Sequence, residues 1–395
     1  MAPLTIGILA GEASGDALGR GLMTEIRRRH PDARFIGVGG PRMVDEGLES
    51  LVSMDRLAIN GFVEPLRRLP ELVGILRRLL RRFDAERPDA FIGVDFNVFN
   101  LLLERRLKLR GIPTVHYVSP SVYAWRRGRI RRVAAAADML LTLYPFEPEL
   151  YAGTPVKAVF VGHPLADAIA PGDGDDSKRR AARKELGLPE DAIVVALLPG
   201  SRMSEVALMG NVLVDAAAEI ARRRPGARFV VPCVRPAIAD WLERTMATTP
   251  EVQVVHYLGD ARLALTACDG ALVKSGTSTL EAMLLRRPMV VSYRLGALSY
   301  HLVRRMLRTP FVALPNILAR RELVPELLQE RATPQALAAA MLKELDNAGA
   351  NPEYLAEFAR LHGALRRDAD ARAADAVCKW LGVAPGERGN ETIRP

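Results

Sequence analysis

The chain has 395 residues, 49% of them apolar, a formal net charge of +9 and only three cysteines, Cys233, Cys268 and Cys378. That length accommodates two domains with large cores. The scattered cysteines exclude a disulfide framework or a paired-spacing zinc site and suit a reducing cytoplasm. No apolar run approaches the ~20 residues that span a bilayer, and residues 1–10 lack the basic start and apolar core of a signal peptide. The positive balance favours an anionic partner: nucleic acid, an anionic membrane surface or a phosphorylated substrate. No nucleic-acid module signature is present, so nucleic acid is not expected.

Leu4 to Ala10 reads as a first strand, and Gly11-Glu12-Ala13-Ser14-Gly15-Asp16 leads into a helical pattern through Leu18, Leu22 and Ile26. The glycines at 11, 15 and 19 are not the dinucleotide fingerprint, but the loop follows the carboxyl end of a strand, where open α/β sheets bind ligands. Arg34 to Pro41 repeats the strand–loop pattern. Between residues 66 and 83, Leu72, Ile75, Leu76, Leu79, Leu80 and Phe83 form one helical stripe, with Arg77, Arg78, Arg81 and Arg82 opposite. Such a helix either packs its stripe on the sheet or lies on an anionic membrane, with Phe62, Val63, Leu66 and Leu69 as an exposed apolar patch.

Ala90 to Asp95 is a strand ending in a carboxylate, placed either to act as a general base in a cleft or to cap the next helix. Residues 113–125 give another strand and an aromatic, proline-bounded loop; strands continue near 139–143 and 158–164. Pro171-Gly172-Asp173-Gly174-Asp175-Asp176-Ser177 reads as a linker, so its Asp-x-Asp is a solvated turn rather than a metal site.

A second α/β run follows. Ile193 to Leu198 is a buried strand ended by Pro199-Gly200, and Ser201-Arg202 lead into a helix near Glu205. A strand, a small-residue loop and a helix start assemble an anion site from free N–H groups and the helix dipole. Arg202 would add a planar cationic fork; the plainer alternative is a surface arginine on an ordinary turn. Strands are also expected at 228–232, 252–257, 270–273 and 289–293. After the third of these, Ser275-Gly276-Thr277 makes a second small-residue loop, and Glu281 is placed to accept both hydroxyls of a ribose. Residues 333–381 read as helical, and the last ten as a frayed tail. The expected architecture is α/β, with two facing nucleotide-fold domains.

Four motifs, Ala10 to Asp16, His116 to Arg126, Leu197 to Arg202 and Leu314 to Leu318, together resemble those of lipid-A-disaccharide synthases, over about Thr5 to Leu381. The resemblance implies a GT-B fold of two facing Rossmann-like domains with a cleft between them. Residues 1–170 would form the acceptor and membrane side and 177–345 the UDP-sugar side. Helices over 346–384 would pack back or exchange in a homodimer, followed by a flexible tail at 385–395. It implies an inverting transferase that joins UDP-2,3-diacylglucosamine to 2,3-diacylglucosamine 1-phosphate, giving a β-1′,6 disaccharide and UDP in lipid A synthesis. No cofactor or metal is implied. The location implied is cytoplasmic, peripheral on the inner membrane.

Matched residue by residue, Asp95 is the catalytic candidate, with Glu12 and Ser14 in the N-terminal loop. Gly200, Ser201 and Arg202 match the diphosphate loop, Ser275, Gly276 and Thr277 the second loop, Glu281 the ribose acid and Asn316 a cleft asparagine. Leu66, Leu69, Leu72, Ile75, Leu76 and Arg77 match the membrane-facing region. One departure stands beside Asp95: the family's Gly-Ile-Asp-x-Pro-x-Phe-Asn is Gly93-Val94-Asp95-Phe96-Asn97-Val98-Phe99-Asn100 here, with Asn97 in place of the proline. A UDP-sugar 2-epimerase and a non-catalytic UDP-sugar sensor are the competing classes. The basic amphipathic stretch disfavours the first, and Asp95, Arg202 and Asn316 disfavour the second.

Overall fold

Short apolar runs alternate with amphipathic helices along most of the chain, and the central runs, such as Ile6–Ala10, Ala90–Val94 and Val194–Leu198, form strands buried on both faces. The computed structural model describes residues 3–57, 68–121, 128–249, 251–294, 309–350 and 352–383. Phe62, Val63, Leu66, residues 122–126 and the tail expected at 385–395 lie outside them.

The first seven strands are β1 (Thr5–Ala10), β2 (Arg34–Val38), β3 (Leu48–Ser50), β4 (Ala90–Val94), β5 (Thr114–Tyr117), β6 (Met139–Thr142) and β7 (Lys157–Phe160). They form one sheet in the order β3-β2-β1-β4-β5-β6-β7 with parallel pairings throughout. The remaining strands are β8 (Val194–Leu198), β9 (Arg228–Cys233), β10 (Val254–Leu258), β11 (Gly270–Lys274), β12 (Met289–Tyr293) and β13 (Glu326–Leu328). They form a second parallel sheet, β10-β9-β8-β11-β12-β13. Both sheets run outward in opposite directions from their first strand. Chain order therefore reverses between β1 and β4 and between β8 and β11, and the carboxyl ends of such neighbours bound a ligand crevice.

The chain divides into two units, residues 168–364 and residues 1–167 with 365–395. This differs from the expected boundaries in two places. The turn at 171–177 lies inside the second unit, where Gly174 O accepts from Arg287 Nη2 at 2.8 Å. The segment 346–384 is also not one body. The helix Pro352–Leu365 closes the second unit, whereas Ala369–Leu381 returns to the first. The return is held by Asp167, whose carboxylate accepts from the N–H groups of Arg367, Asp368 and Ala369 at 2.9, 3.0 and 2.7 Å. Ala373, Ala374, Val377 and Cys378 then complete a core with Ile6, Ile8, Leu22, Met23 and Ile26.

The basic amphipathic helix spans Leu69–Glu86. Its stripe faces inward: Ile75, Leu76, Leu79, Leu80 and Phe83 are buried against Leu9, Val38, Phe91 and Leu103. Burying each such side chain stabilises the fold by about 1.5–3 kcal/mol. The membrane-facing expectation for Ile75 and Leu76 is therefore corrected: at 4% and 3% exposed they are core residues. Leu72 is half-buried against the same cluster, while Leu69, at 54% exposed, and Arg77 remain on the surface. Among the described residues no helix is long and apolar enough to cross a membrane.

Candidate active site

In the first unit, β4 ends at Val94 and the chain turns sharply. Asp95 and Phe96 both have φ of 48°, in the left-handed region, at about 1–2 kcal/mol each for residues other than glycine. Fully buried Asn100 holds the turn: its Nδ2 donates to Leu9 O (3.2 Å), Val94 O (3.3 Å) and Asp95 O (2.8 Å). One side chain thus ties the ends of β1 and β4 together where chain order reverses. The cap of the following helix, Asn97–Lys108, is Phe96, not Asp95. The Asp95 carboxylate instead accepts from Asn97 Nδ2 at 3.1 Å.

Asp95 and Glu12 line a cavity of about 760 Å³ with Val98, Leu101 and Leu102 on one helix and Arg129, Arg131 and Arg132 on the helix Gly128–Ala136. Val98 is 90% exposed, an apolar surface that water covers poorly and a hydrocarbon chain would cover well. Glu12 is the exposed N-cap residue of the helix Ala13–Arg29 and makes no side-chain cap bond. Ser14 is exposed in the first turn of that helix and does not line the cavity. Asp16, two residues on, was not singled out from the sequence. It is buried and accepts from Arg42 N and Met43 N, both at 3.1 Å, which fixes the loop after β2.

In the second unit, Gly200 has φ of +121°, which only glycine adopts readily, and the helix Met203–Arg223 follows with Arg202 as its N-cap. Gly200, Ser201 and Arg202 line a cavity of about 260 Å³ together with Ser275, Gly276 and Thr277. The ends of β8 and β11 thus bring six expected residues around one space. Lys274, the last residue of β11, was missed. Its Nζ lies 2.9 Å from Glu205 Oε1 and 5.0 Å from the centre of the Tyr293 ring. A strand ending in lysine at the ligand edge of a sheet was the available signal. Glu205 Oε2 also accepts from Ser201 N at 3.1 Å. Burial pushes the Glu205 carboxyl up, but Lys274 and the loop N–H groups outweigh it and hold the group below the usual carboxylate range.

Two other expected site residues sit apart from that cavity. Glu281 is half-buried on the helix Ser278–Leu284, where burial first and Asp260 second push its carboxyl up. Asn316 is fully buried. Its Nδ2 donates to Val324 O (2.9 Å) and Glu326 Oε1 (2.8 Å), and its Oδ1 accepts from Leu323 N (2.7 Å) and Val324 N (2.8 Å). Both donors and both acceptor lone pairs are engaged within the fold. Asn316 is therefore corrected from a ligand contact to a clasp for the segment entering β13. Among the described residues no group of three or more His, Cys, Asp or Glu is placed to hold a metal ion.

The sequence model of the lipid-A-disaccharide synthetase family matches residues 6–377. The chain belongs to the lipid-A-disaccharide synthase family. The lipid-A-disaccharide synthase of Pseudomonas aeruginosa (strain UCBPP-PA14) is 49% identical over 378 residues, covering 96% of this chain and 98% of the relative. Among solved structures, the glycosyltransferase of kitacinnamycin superposes with a TM-score of 0.63 at 18% identity, covering 96% of this chain and 99% of that one. UDP-GlcNAc 2-epimerase from Neisseria meningitidis, bound to UDP-GlcNAc, gives 0.61 at 13% identity over the same shares. At those identities the likenesses show the GT-B fold, which transferases and epimerases share. Membership of the lipid-A-disaccharide synthase family separates the two activities: the chain is a glycosyltransferase of lipid A synthesis.

Proposed function

We propose that the protein transfers the diacylglucosaminyl group of UDP-2,3-diacylglucosamine to the 6-hydroxyl of 2,3-diacylglucosamine 1-phosphate by a single inverting displacement. The observation that carries the reading is the Asp95 carboxylate at the reversal point of the first sheet, in a cavity lined by apolar side chains and arginines. Asp95 takes the hydroxyl proton as the acceptor oxygen bonds to the anomeric carbon. The bond from that carbon to the diphosphate breaks, and its electron pair leaves with UDP. Val98, Leu101 and Leu102 suit the acyl chains and the neighbouring arginines suit the 1-phosphate. In the second unit Arg202 and Lys274, which line the smaller cavity, take the charge that builds on the diphosphate. Removing one such donor typically raises the barrier by about 2.7–4 kcal/mol.

The same reading places the enzyme peripherally on the cytoplasmic face of the inner membrane, since both substrates are lipids. Exposed Leu69 and Arg77 support a surface contact there. A homodimer that exchanges the C-terminal segment from Arg367 onward, within the 346–384 stretch, would re-form the Asp167 clasp between copies.

The test is a radiolabel assay with both lipid substrates in the presence of EDTA. Formation of a disaccharide 1-phosphate that Asp95→Ala abolishes is the expected result. A free sugar product, or an Asp95→Ala protein with wild-type turnover, overturns the reading.

A further inference from the structure

Asn97 joins two parts of the first unit that a proline at this position could not. Its Nδ2 donates to Asp95 Oδ1 at 3.1 Å, and its Oδ1 lies 3.2 Å from Nε2 of His116 on β5. His116 Nδ1 in turn lies 2.7 Å from Glu104 Oε1. His116 and Glu104 are fully buried, and Asn97 is half-buried at the cavity. Gly93 makes room for the pair, because a Cβ there would lie 2.0 Å from Glu104 Oε1.

The polarity of this chain of bonds follows from its outer end. An ionised carboxylate only accepts, so the amide must turn its NH₂ to Asp95 and its carbonyl to His116. A carbonyl only accepts, so His116 Nε2 carries a hydrogen, and Glu104 holds the far side of the ring. The backbone depends on the same residue. Phe96, just before it, is left-handed, and a residue preceding proline is driven toward extended geometry.

We propose that Asn97 is a positioning residue that ties the Asp95 carboxylate to the buried His116–Glu104 pair, fixing Oδ1 so that Oδ2 is presented to the acceptor hydroxyl. The inference rests on Asp95 being the base. It assigns to this chain a hydrogen-bonded support that a proline in the same loop cannot make.

The test uses the full-length enzyme and the variants Asn97→Ala and Asn97→Asp, with kcat, acceptor KM and UDP affinity measured across pH. Both variants should lower kcat about tenfold or more while leaving acceptor KM and UDP affinity within twofold. The acid limb of the kcat profile should move to higher pH, because a donor to the ionised carboxylate is gone. It should move furthest for Asn97→Asp, which sets a second carboxylate against the first. Glu12, Arg105, Arg129, Arg131 and Arg132 also line this cavity and are unchanged in every variant. His116→Gln, if its melting temperature shows a folded protein, should be non-additive with Asn97→Ala, since both break one chain. An unmoved acid limb in both Asn97 variants, or kcat within twofold of wild type, overturns the proposal. Asp95→Ala with wild-type turnover would instead overturn the underlying assignment of the base, so the two failures are told apart.

Discussion

Replacing Lys274 by methionine keeps the length of the side chain and removes its charge. The ammonium lies 2.9 Å from Glu205 Oε1, with side chains 16% and 19% exposed, and Glu205 also holds Ser201 N in the diphosphate loop. Without Lys274 an uncompensated carboxylate remains where the diphosphate must bind. Two unit charges about 4 Å apart interact by about 4 kcal/mol at an effective dielectric constant near 20. Water reaching the open loop screens part of this, leaving about 2–3 kcal/mol, or roughly 30- to 150-fold in affinity. Calorimetric titration with UDP in EDTA at fixed ionic strength reads it directly. The double variant Lys274→Met with Glu205→Gln should recover most of the loss, since the repelling charge goes with its partner. A single variant that binds UDP within twofold of wild type, or a double variant no better than the single, refutes this electrostatic account of the loop.

Asn316→Ala should lower stability by on the order of 3 kcal/mol, because it strands the buried Leu323 and Val324 N–H groups; a thermal melt checks this, and UDP affinity of the folded fraction should hold. Burial lowers the pKa of His163 from 6.5 to about 4, and its Nδ1 accepts from Leu165 N at 3.1 Å. The unfolded chain therefore binds the extra proton between those two pH values, so stability falls as pH drops from 6.5 through 4. His163→Asn, which keeps an acceptor but does not titrate, should flatten that window in urea melts taken at a series of pH values. Ile75→Ala should cost about 2–5 kcal/mol as a cavity in the core. Arg77→Glu should change stability by less than about 0.5 kcal/mol but weaken sedimentation with anionic vesicles; equal vesicle binding would remove Arg77 from the membrane contact.

The sequence makes the two parallel sheets legible because their strands are continuous apolar runs, and the loops because small and charged residues cluster at strand ends. Asp95, Arg202 and Ser275 to Thr277 are placed at such ends by the alternation alone. Four features were missed or misassigned. The stripe of the helix Leu69–Glu86 has the same periodicity whether it meets a sheet or a membrane, and only the packed structure assigns Ile75 and Leu76 to the core. Asn316 sits in a motif that suggests ligand contact, but its partners lie seven to ten residues downstream and take all its hydrogen bonds. The short strands β3 and β13 carry too few residues to show a pattern. Nor does an alanine-rich helical pattern say which unit the helix Ala369–Leu381 completes.

The Asp167 clasp and the helix it anchors also set the order in which the chain can finish folding. As the protein is synthesised, the first sheet emerges early, but the Ala373, Ala374, Val377 and Cys378 face of its core arrives only with the last stretch of chain. At about 5–20 residues per second, the nearly two hundred residues between Asp167 and Leu365 take roughly 10–40 s to translate. During that interval Leu22, Met23 and Ile26 have no cover from the final helix, while the second unit, a continuous segment, can complete itself. The half of the protein that begins first is thus the last to close, and a nascent chain stalled before residue 369 would present a hydrophobic face suited to chaperones.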